Sequence, residues 1–194
     1  GNIRNIYILL LLSLSYSATL LVPDEYSTIQ SAIDAASDGD SVLVSAGTYY
    51  ENIVWVATNG IKLIGSGEDD CIIDGDSLAS VIRFEEDLGG IIDSTTLITG
   101  FTIYNGYAND EDVGGVWFYG GGIFLHSSSP TLTNVTISEN NALTGGGVYS
   151  IDGNPIFSNV TISGNNALGG GGVYSQNGNP IFPNVTISGN NALM

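Results

Sequence analysis

The chain has 194 residues, with 20 acidic against 3 basic side chains and a formal net charge of −17 at pH 7. Because affinity for nucleic acid comes mainly from Lys and Arg side chains that neutralise phosphates, this balance excludes nucleic acid as a partner. The single cysteine, Cys71, excludes an internal disulfide and is predicted to be a small buried core residue.

Residues 1–18 have the pattern of a secretory signal peptide. Arg4 is followed by an apolar run from Ile6 to Leu14, and small residues then extend to Ala18. This order is typical of such peptides, so we expect cleavage after Ser17 or Ala18. A retained membrane anchor would need about 20 predominantly apolar residues, whereas serines interrupt this stretch. The mature protein is therefore expected to be secreted or held at the cell surface, without a membrane span.

Residues 19–119 are predicted to form a cap helix followed by irregular β-coils. Apolar residues recur at helical spacing over 26–36, and Asp24, Glu25 and Ser27 precede them as capping and N-terminal groups. This helix would cover the open end of the first coil. Short strands separated by Gly- and Asp-containing turns are predicted at 41–45, 53–57, 61–64, 71–73, 81–84 and 97–104.

Residues 120–194 consist of three consecutive 25-residue copies, which begin at Gly120, Gly145 and Gly170. The second and third copies agree at 21 of 25 positions, and the first and second at 13. Such a repeat predicts a solenoid in which each copy forms one layer that cannot bury its apolar face alone. Because an uncovered last coil would expose unpaired backbone groups, we expect the native protein to continue beyond Met194 with further repeats and an anchoring or sorting domain.

Within a copy the apolar residues alternate in short runs, which predicts strands with one buried face. Leu132 and Val135 are three positions apart, so both can face inward only if Thr133 and Asn134 form a bend. The pattern therefore predicts about three short strands per coil. Coils of this kind stack as parallel strands about 4.8 Å apart, with residues 25 positions apart directly above one another.

Stacking in this register predicts two asparagine ladders. Stacked amides can hydrogen-bond along the axis, and asparagine also tolerates the left-handed backbone of a sharp turn. The glycine triplet that opens each copy fits a place where backbone packs closely or takes a positive φ. The pairs that form the ladders are Asn140/Asn141, Asn165/Asn166 and Asn190/Asn191.

The copies, with Gly-Gly-Gly-Val-Tyr-Ser following Ile-Ser-Gly-Asn-Asn-Ala-Leu, resemble the right-handed parallel β-helix repeats of pectin-lyase-like proteins. They are especially similar to the repeats of chlamydial polymorphic membrane proteins and other bacterial surface proteins. The resemblance implies an all-β fold, a right-handed parallel β-helix (solenoid) with a short N-terminal capping α-helix.

The segments 27–36, 47–53 and 61–67 resemble the opening of pectin methylesterases. That family's catalytic motifs, a Gln-containing strand followed by Gly-Asp-Phe-Ile-Phe-Gly and a later arginine, find no match after Leu97. The resemblance therefore implies the helix-capped first coils and not an esterase active site.

Alternation within the strands predicts a candidate ligand-binding surface. Thr136, Thr161 and Thr186 would point outward in a flat, hydroxyl-rich patch, which suits glycan contacts or ice binding. Tyr149 and Tyr174 would form a second, exposed ladder on which sugars could stack. The alternative for the threonines is that β-branched residues simply favour strands.

Acidic residues cluster around the strand predicted at 71–73 and again at 110–112. Solvated turns are one interpretation of these clusters. If they bind a metal ion, Ca²⁺ is the ion that hard oxygen ligands favour, although nothing in the sequence requires a cofactor. The predicted metal ligands are Asp69, Asp70, Asp74 and Asp76, beside Glu68, and the second cluster is Asp110, Glu111 and Asp112.

The function expected from these patterns is that of an exported, noncatalytic β-helix repeat protein, an adhesin or glycan-binding scaffold. Three near-identical coils contain no polar cluster that breaks their symmetry, as an enzyme site would. Its partners would be glycans or a host or neighbouring cell surface. The alternative is a polysaccharide-active lyase, esterase or hydrolase, whose site would lie in the first coils, with Arg83 and the carboxylates of Glu68 to Asp76, or in a C-terminal part beyond Met194.

Overall fold

A computed structural model describes residues 16–108 and 119–193. Most of the predicted signal peptide and the second acidic cluster, at 110–112, lie outside these residues. In the described ranges the chain forms strands and turns, one short helix and a single 3-10 turn at Glu86–Leu88.

The strands are short and lie in parallel sheets. In chain order, over the described residues, they are β1 (Thr19–Val22), β2 (Ser41–Val44), β3 (Gly47–Tyr50), β4 (Ile53–Val54), β5 (Lys62–Gly65), β6 (Cys71–Asp74), β7 (Ile82–Phe84), β8 (Leu97–Tyr104), β9 (Tyr107–Ala108), β10 (Ile123–His126), β11 (Thr131–Ser138), β12 (Asn141–Thr144), β13 (Val148–Ile151), β14 (Ile156–Ser163), β15 (Asn166–Gly169), β16 (Val173–Gln176), β17 (Thr186–Ser188) and β18 (Asn191–Ala192).

The strands belong to three sheets. The long sheet has the order β1-β2-β5-β8-β11-β14-β17, and β3 and β6 extend it beside β8. The second sheet has the order β4-β7-β10-β13-β16, and the third has the order β9-β12-β15-β18. The repeat region passes through the three sheets in turn and returns parallel to itself, one strand further along, with the right-handed connection that parallel strands require. The fold is the predicted right-handed parallel β-helix.

Residues 25 positions apart lie in register. Val148 pairs with Val173, and Val135 pairs with Val160. The inward-facing side chains of these strands form one continuous apolar core between the sheets. The spacing read from the sequence therefore equals one turn of the solenoid.

The predicted helix is present as α1 (Ile29–Ala35). It packs against β1, β2 and β4 and buries Ile29, Ala32 and Ile33, so it covers the apolar interior of the first coils. In the described part of the chain, no helix combines the length and the hydrophobicity that crossing a membrane requires.

The helix begins at a different cap from the one predicted. Thr28 is the N-cap, and its hydroxyl accepts a hydrogen bond from the Ser31 N–H at 3.1 Å. The Glu51 carboxylate, from the next coil, accepts the first two helical N–H groups at 2.8 and 2.9 Å. Asp24, Glu25 and Ser27 were therefore wrongly predicted as the capping groups, because Glu51 is distant in sequence and its approach depends on the coil.

The eight-residue strands of the long sheet bend at their fourth residue. That residue has a left-handed backbone, with φ of 76° at Gly100, 51° at Asn134 and 53° at Asn159. Gly and Asn reach this conformation at the lowest cost. The bend at Asn134 allows both Leu132 and Val135 to be fully buried, as predicted.

The first of the two predicted asparagine ladders runs through the interior. The amide of Asn140 donates to Oδ1 of Asn165, and that of Asn165 donates to Oδ1 of Asn190, each at 2.9 Å. Each of the first two amides also donates to a carbonyl of the long sheet. The left-handed backbone expected at these asparagines lies one residue earlier, at Glu139, Gly164 and Gly189.

Candidate functional site: the outer face of the long sheet

The predicted threonines lie in one line on the outer face of the long sheet, here called the threonine row. Thr136 pairs with Thr161, and Thr161 with Thr186. The row also includes Thr102 of β8, which pairs with Thr136 and was not predicted. A signal for it exists, because Phe101-Thr-Ile repeats Val135-Thr-Ile at a spacing of 34. The strands that carry neighbouring threonines are about 4.8 Å apart, with one threonine for each coil.

The turn of residues 66–70 crosses this row. The Thr136 hydroxyl donates to Oε2 of Glu68 at 2.8 Å, and the Thr102 hydroxyl donates to the Glu68 carbonyl at 2.8 Å. The patch is therefore not the uninterrupted flat surface that was expected, although Thr186 at its far end is exposed. An interrupted row does not offer the flat array that the ice-binding alternative requires.

A second line runs beside the threonine row on the same face and is here called the tyrosine–serine row. Its members are two residues further along each strand, so they project to the same side of the sheet. Tyr104 is its first member, 37% exposed, and it pairs with Asp74 on one side and Ser138 on the other. The row continues through Ser163 and Ser188. Tyr104 was not predicted as a site residue.

Asp74 is held in place by its neighbours. Its Oδ1 accepts the N–H of Asp76 at 2.8 Å and the side-chain amide of Asn105 at 2.9 Å. Oδ1 of Asn105 in turn accepts a hydrogen bond from the Ser77 hydroxyl at 2.6 Å. The carboxylate beside Tyr104 is therefore positioned before any ligand arrives, which lowers the entropy cost of binding.

The predicted calcium ligands do not come together. Asp69 and Asp70 precede β6, while Asp74 and Asp76 lie at its other end, roughly 10–13 Å away along a four-residue strand. Over residues 16–108 and 119–193, no group of three or more His, Cys, Asp or Glu side chains is arranged to hold a metal ion. Calcium binding by these carboxylates stays a prediction.

The predicted aromatic ladder is present on the second sheet, but most of it is covered. The Tyr149 ring stacks on Tyr174 at 5.3 Å and on Phe124 at 5.8 Å, centroid to centroid. Tyr119 stacks on Tyr149 from outside at 4.5 Å. Tyr149 is only 6% exposed, so the expected exposure is wrong for Tyr149 and holds only for Tyr174, which is 37% exposed. The cover was not predicted because Tyr119 precedes the repeats.

Burial also affects two ionisable groups near these sheets. It raises the pKa of the Tyr149 phenol, and the phenols of Tyr119 and Tyr174 and the Asp152 carboxylate add to the shift. Burial likewise raises the pKa of the Cys71 thiol, whose Sγ lies 3.5 Å from a backbone carbonyl. Because the thiolate is the nucleophile, a raised pKa makes Cys71 the inert core residue that the sequence predicted.

The outer asparagine ladder lines a shallow cleft on the third sheet. The cleft has a volume of about 280 Å³ and is bordered by Tyr107, Asn141, Leu143, Asn166 and Leu168. The amide of Asn191 donates to Oδ1 of Asn166 at 2.7 Å. The two ladders thus differ, since the inner one satisfies buried groups and the outer one faces solvent.

The chain is similar to several solved structures of pectin methylesterases. The chain is similar to pectin methylesterase PemA from Erwinia chrysanthemi, with a TM-score of 0.54 and 18% sequence identity over 80% of this chain and 52% of that one. A pectin methylesterase in complex with hexasaccharide VII gives a TM-score of 0.48 at 14% identity over 87% of this chain and 66% of that one. The enzyme from Aspergillus niger gives 0.41 at 16% identity over 90% and 86%.

No protein-family model matches the sequence, and no curated protein matches it. The chain spans about half the length of PemA, 52% of that chain. At 18% identity the likeness to PemA shows the fold alone.

Proposed function

We propose that this protein is an exported, noncatalytic β-helix scaffold that binds neutral glycans on the outer face of its long sheet. The observation that carries the proposal is the position of Tyr104. Its ring is exposed on a regular sheet, with the fixed Asp74 carboxylate on one side and the Ser138 hydroxyl on the other. An apolar ring surrounded by a few positioned polar groups is the usual composition of a small-molecule binding site.

The geometry suits an extended sugar chain. The C–H face of a sugar ring packs on Tyr104, whose ring provides apolar area and a polar hydroxyl. Asp74, Ser138 and Thr161 then provide hydrogen-bond partners for the hydroxyl groups of the sugar. Because the two rows run along the axis of the solenoid, successive sugar units can contact successive coils.

The charge of the chain favours neutral glycans over acidic ones. The net charge is −17, and Glu68 and Asp74 both lie at the proposed surface. Fields of one sign repel ligands of that sign and suppress their association. Polygalacturonate, a polyanion, is therefore expected to bind poorly.

The noncatalytic and exported parts of the proposal rest on the sequence. The near-identical copies bear no polar cluster that breaks their symmetry, and the motifs of pectin methylesterase catalysis find no match in the second half of the chain. Export rests on the leader pattern of residues 1–18 and on the resemblance of the repeats to those of bacterial surface proteins. An adhesin or surface spacer would use the same outer face.

Binding to immobilised polysaccharides tests the proposal. The purified protein is titrated against neutral β-glucan, galactan and mannan and against polygalacturonate. We expect binding to at least one neutral polymer, weakened about tenfold or more by Tyr104→Ala, which equals about 1.4 kcal/mol. Tyr174→Ala is the matched control, because it removes an equally exposed tyrosine from the second sheet.

Two results would overturn this assignment. One is the absence of binding to every neutral polymer, and the other is equal binding by wild type and Tyr104→Ala. Loss of binding in Tyr174→Ala alone would move the site to the second sheet.

The enzyme alternative is tested with the same protein. Methanol release from pectin and formation of reducing or unsaturated ends from pectate are measured for wild type and for Asp74→Asn. We expect none of these products from wild type. If wild type forms one of these products and Asp74→Asn does not, the protein is a polysaccharide-active enzyme and the scaffold proposal is wrong.

A further inference from the structure

Asp40 is a buried carboxylate without a side-chain counterion. It is 6% exposed, its Oδ1 accepts the backbone N–H of Ala18 at 2.6 Å, and its Oδ2 accepts the N–H of Ser37 at 2.8 Å. Within the described ranges no Lys, Arg or His pairs with it. Lys62, one strand away, directs its ammonium to the Gly39 carbonyl at 3.4 Å. Taking such a charge out of water is costly unless an opposite charge compensates it.

The donor at Oδ1 lies at the predicted end of the leader. Ala18 is also tied to the long sheet, because its carbonyl accepts the Ser41 N–H at 2.9 Å, and β1 begins at the next residue. If the chain is cut before Ala18, the nitrogen that touches Asp40 becomes the terminal ammonium. If it is cut after Ala18, the donor is lost and one oxygen of the buried carboxylate loses its partner.

The sequence around this bond favours the first cut. Ser15 and Ser17 are small and flank Tyr16, which matches the small-x-small pattern before a cleavage site. A cut after Ala18 would instead place the bulky Tyr16 at the first of the two positions that require small side chains. Sequence and structure thus both favour cleavage of the peptide bond between Ser17 and Ala18.

We infer that the mature protein begins at Ala18 and that its terminal ammonium is the counterion of Asp40. A signal peptidase catalyses attack of water on the Ser17–Ala18 peptide bond, which leaves a carboxylate on Ser17 and an ammonium on Ala18. Removal of the leader then converts a neutral hydrogen bond into a charge-assisted one, which is about twice as strong. The inference depends on the proposed export and is independent of glycan binding.

The N-terminus of the secreted protein is the first test. The chain is expressed with its leader in a bacterial secretion host and recovered from outside the cytoplasm, and its intact mass and N-terminal sequence are measured. We expect Ala18 as the first residue. Release with another first residue overturns this inference alone, whereas a chain that keeps its leader inside the cell overturns the export proposal as well.

The counterion is tested by moving the charge. One chain begins at Ala18 and another at Ser17, so both keep the Ala18 N–H and only the ammonium is displaced. At pH 6, below the pKa of about 7.7–8.0 of an α-amino group, we expect the chain from Ser17 to melt about 2–4 °C lower. In an Asp40→Asn background the difference should vanish, and in Asp38→Asn, at an exposed neighbour, it should persist.

Equal melting temperatures of the two wild-type chains would overturn the ion pair, and so would a difference that survives Asp40→Asn. If Asp40→Asn does not fold, the comparison of the two wild-type chains and of their Asp38→Asn counterparts still decides the question.

Discussion

The side-chain amide of Asn165 donates to Oδ1 of Asn190 at 2.9 Å, and its own Oδ1 accepts both the side-chain amide and the backbone N–H of Asn140. The same amide also donates to the Ile137 carbonyl at 2.9 Å. One fully buried side chain thus satisfies polar groups of three successive coils. Buried polar networks stabilise a structure only when every member is paired, as here.

Asn165→Ala is therefore expected to be severely destabilising. It leaves the Asn140 backbone N–H and one N–H of the Asn140 side-chain amide buried without partners, at about 1–3 kcal/mol for each group, so we expect a loss of about 3 kcal/mol or more. Urea unfolding monitored by circular dichroism measures it. Asn166→Ala, one residue later on the exposed ladder, should cost less than about 1 kcal/mol, and equal costs would contradict the distinction between the ladders.

Two glycine-to-alanine substitutions test where the backbone packs too closely for a side chain. A Cβ at Gly146 would lie 2.5 Å from the Gly171 carbonyl oxygen and 2.6 Å from that of Asn166, and neither backbone atom can move without opening a coil. We expect Gly146→Ala to cost about 3 kcal/mol. At Gly169 the nearest atoms would be 3.8 Å away, in the Thr144 side chain. Gly169→Ala should then be neutral or stabilising by about 0.4–1 kcal/mol in thermal unfolding.

Adjacent residues of β14 test which face of the strand is buried. Val160 is 1% exposed and pairs with Val135, whereas Thr161 belongs to the outer threonine row. Val160→Asp places an uncompensated charge in the core, so we expect it to prevent folding or to cost more than about 4 kcal/mol. Thr161→Lys should change stability by about 0.5 kcal/mol. Similar losses, measured by denaturant titration, would show that the strand faces are wrongly assigned.

Alkaline pH should weaken the fold partly through Cys71. Burial raises its pKa above 9.0, so as the pH passes about 9 the unfolded thiol loses its proton while the folded one keeps it. The folded state then binds more protons than the unfolded state, and the free energy of unfolding falls with rising pH. Well below pH 9 this loss is absent. Cys71→Ala should give a shallower decline between about pH 8 and pH 9.5, and an unchanged slope would contradict the assignment.

The repeat region was predictable because every layer repeats the same local pattern. The 25-residue spacing predicts the pairing of Val148 with Val173. The three-residue separation of the two buried residues Leu132 and Val135 predicts the bend at Asn134. These features depend on residues within one copy and its neighbour. Helix α1 was likewise predicted from its own periodicity.

The surroundings of the candidate site were less predictable because they join segments that are distant in sequence. Glu68 reaches Thr136 across 68 positions, and no local pattern signals that contact. Glu51 caps α1 for the same kind of reason, since the coil brings it back to the helix. Tyr104 was missed because its counterpart in the next layer, Ser138, lies 34 positions later and not 25.

The turn of residues 66–70 also affects how the solenoid can unravel. Layers of such a protein ordinarily touch only the adjacent layers, so stability is close to a sum of nearest-neighbour terms. Glu68 lies in the layer of β5 and β6, and it bonds to Thr136 over the intervening layer of β8. Unfolding that starts at β17 can therefore proceed one strand at a time only as far as β11. The layers of β11, β8 and β5 then open together as one cooperative unit, so their amides should exchange with solvent more slowly than the others of the long sheet.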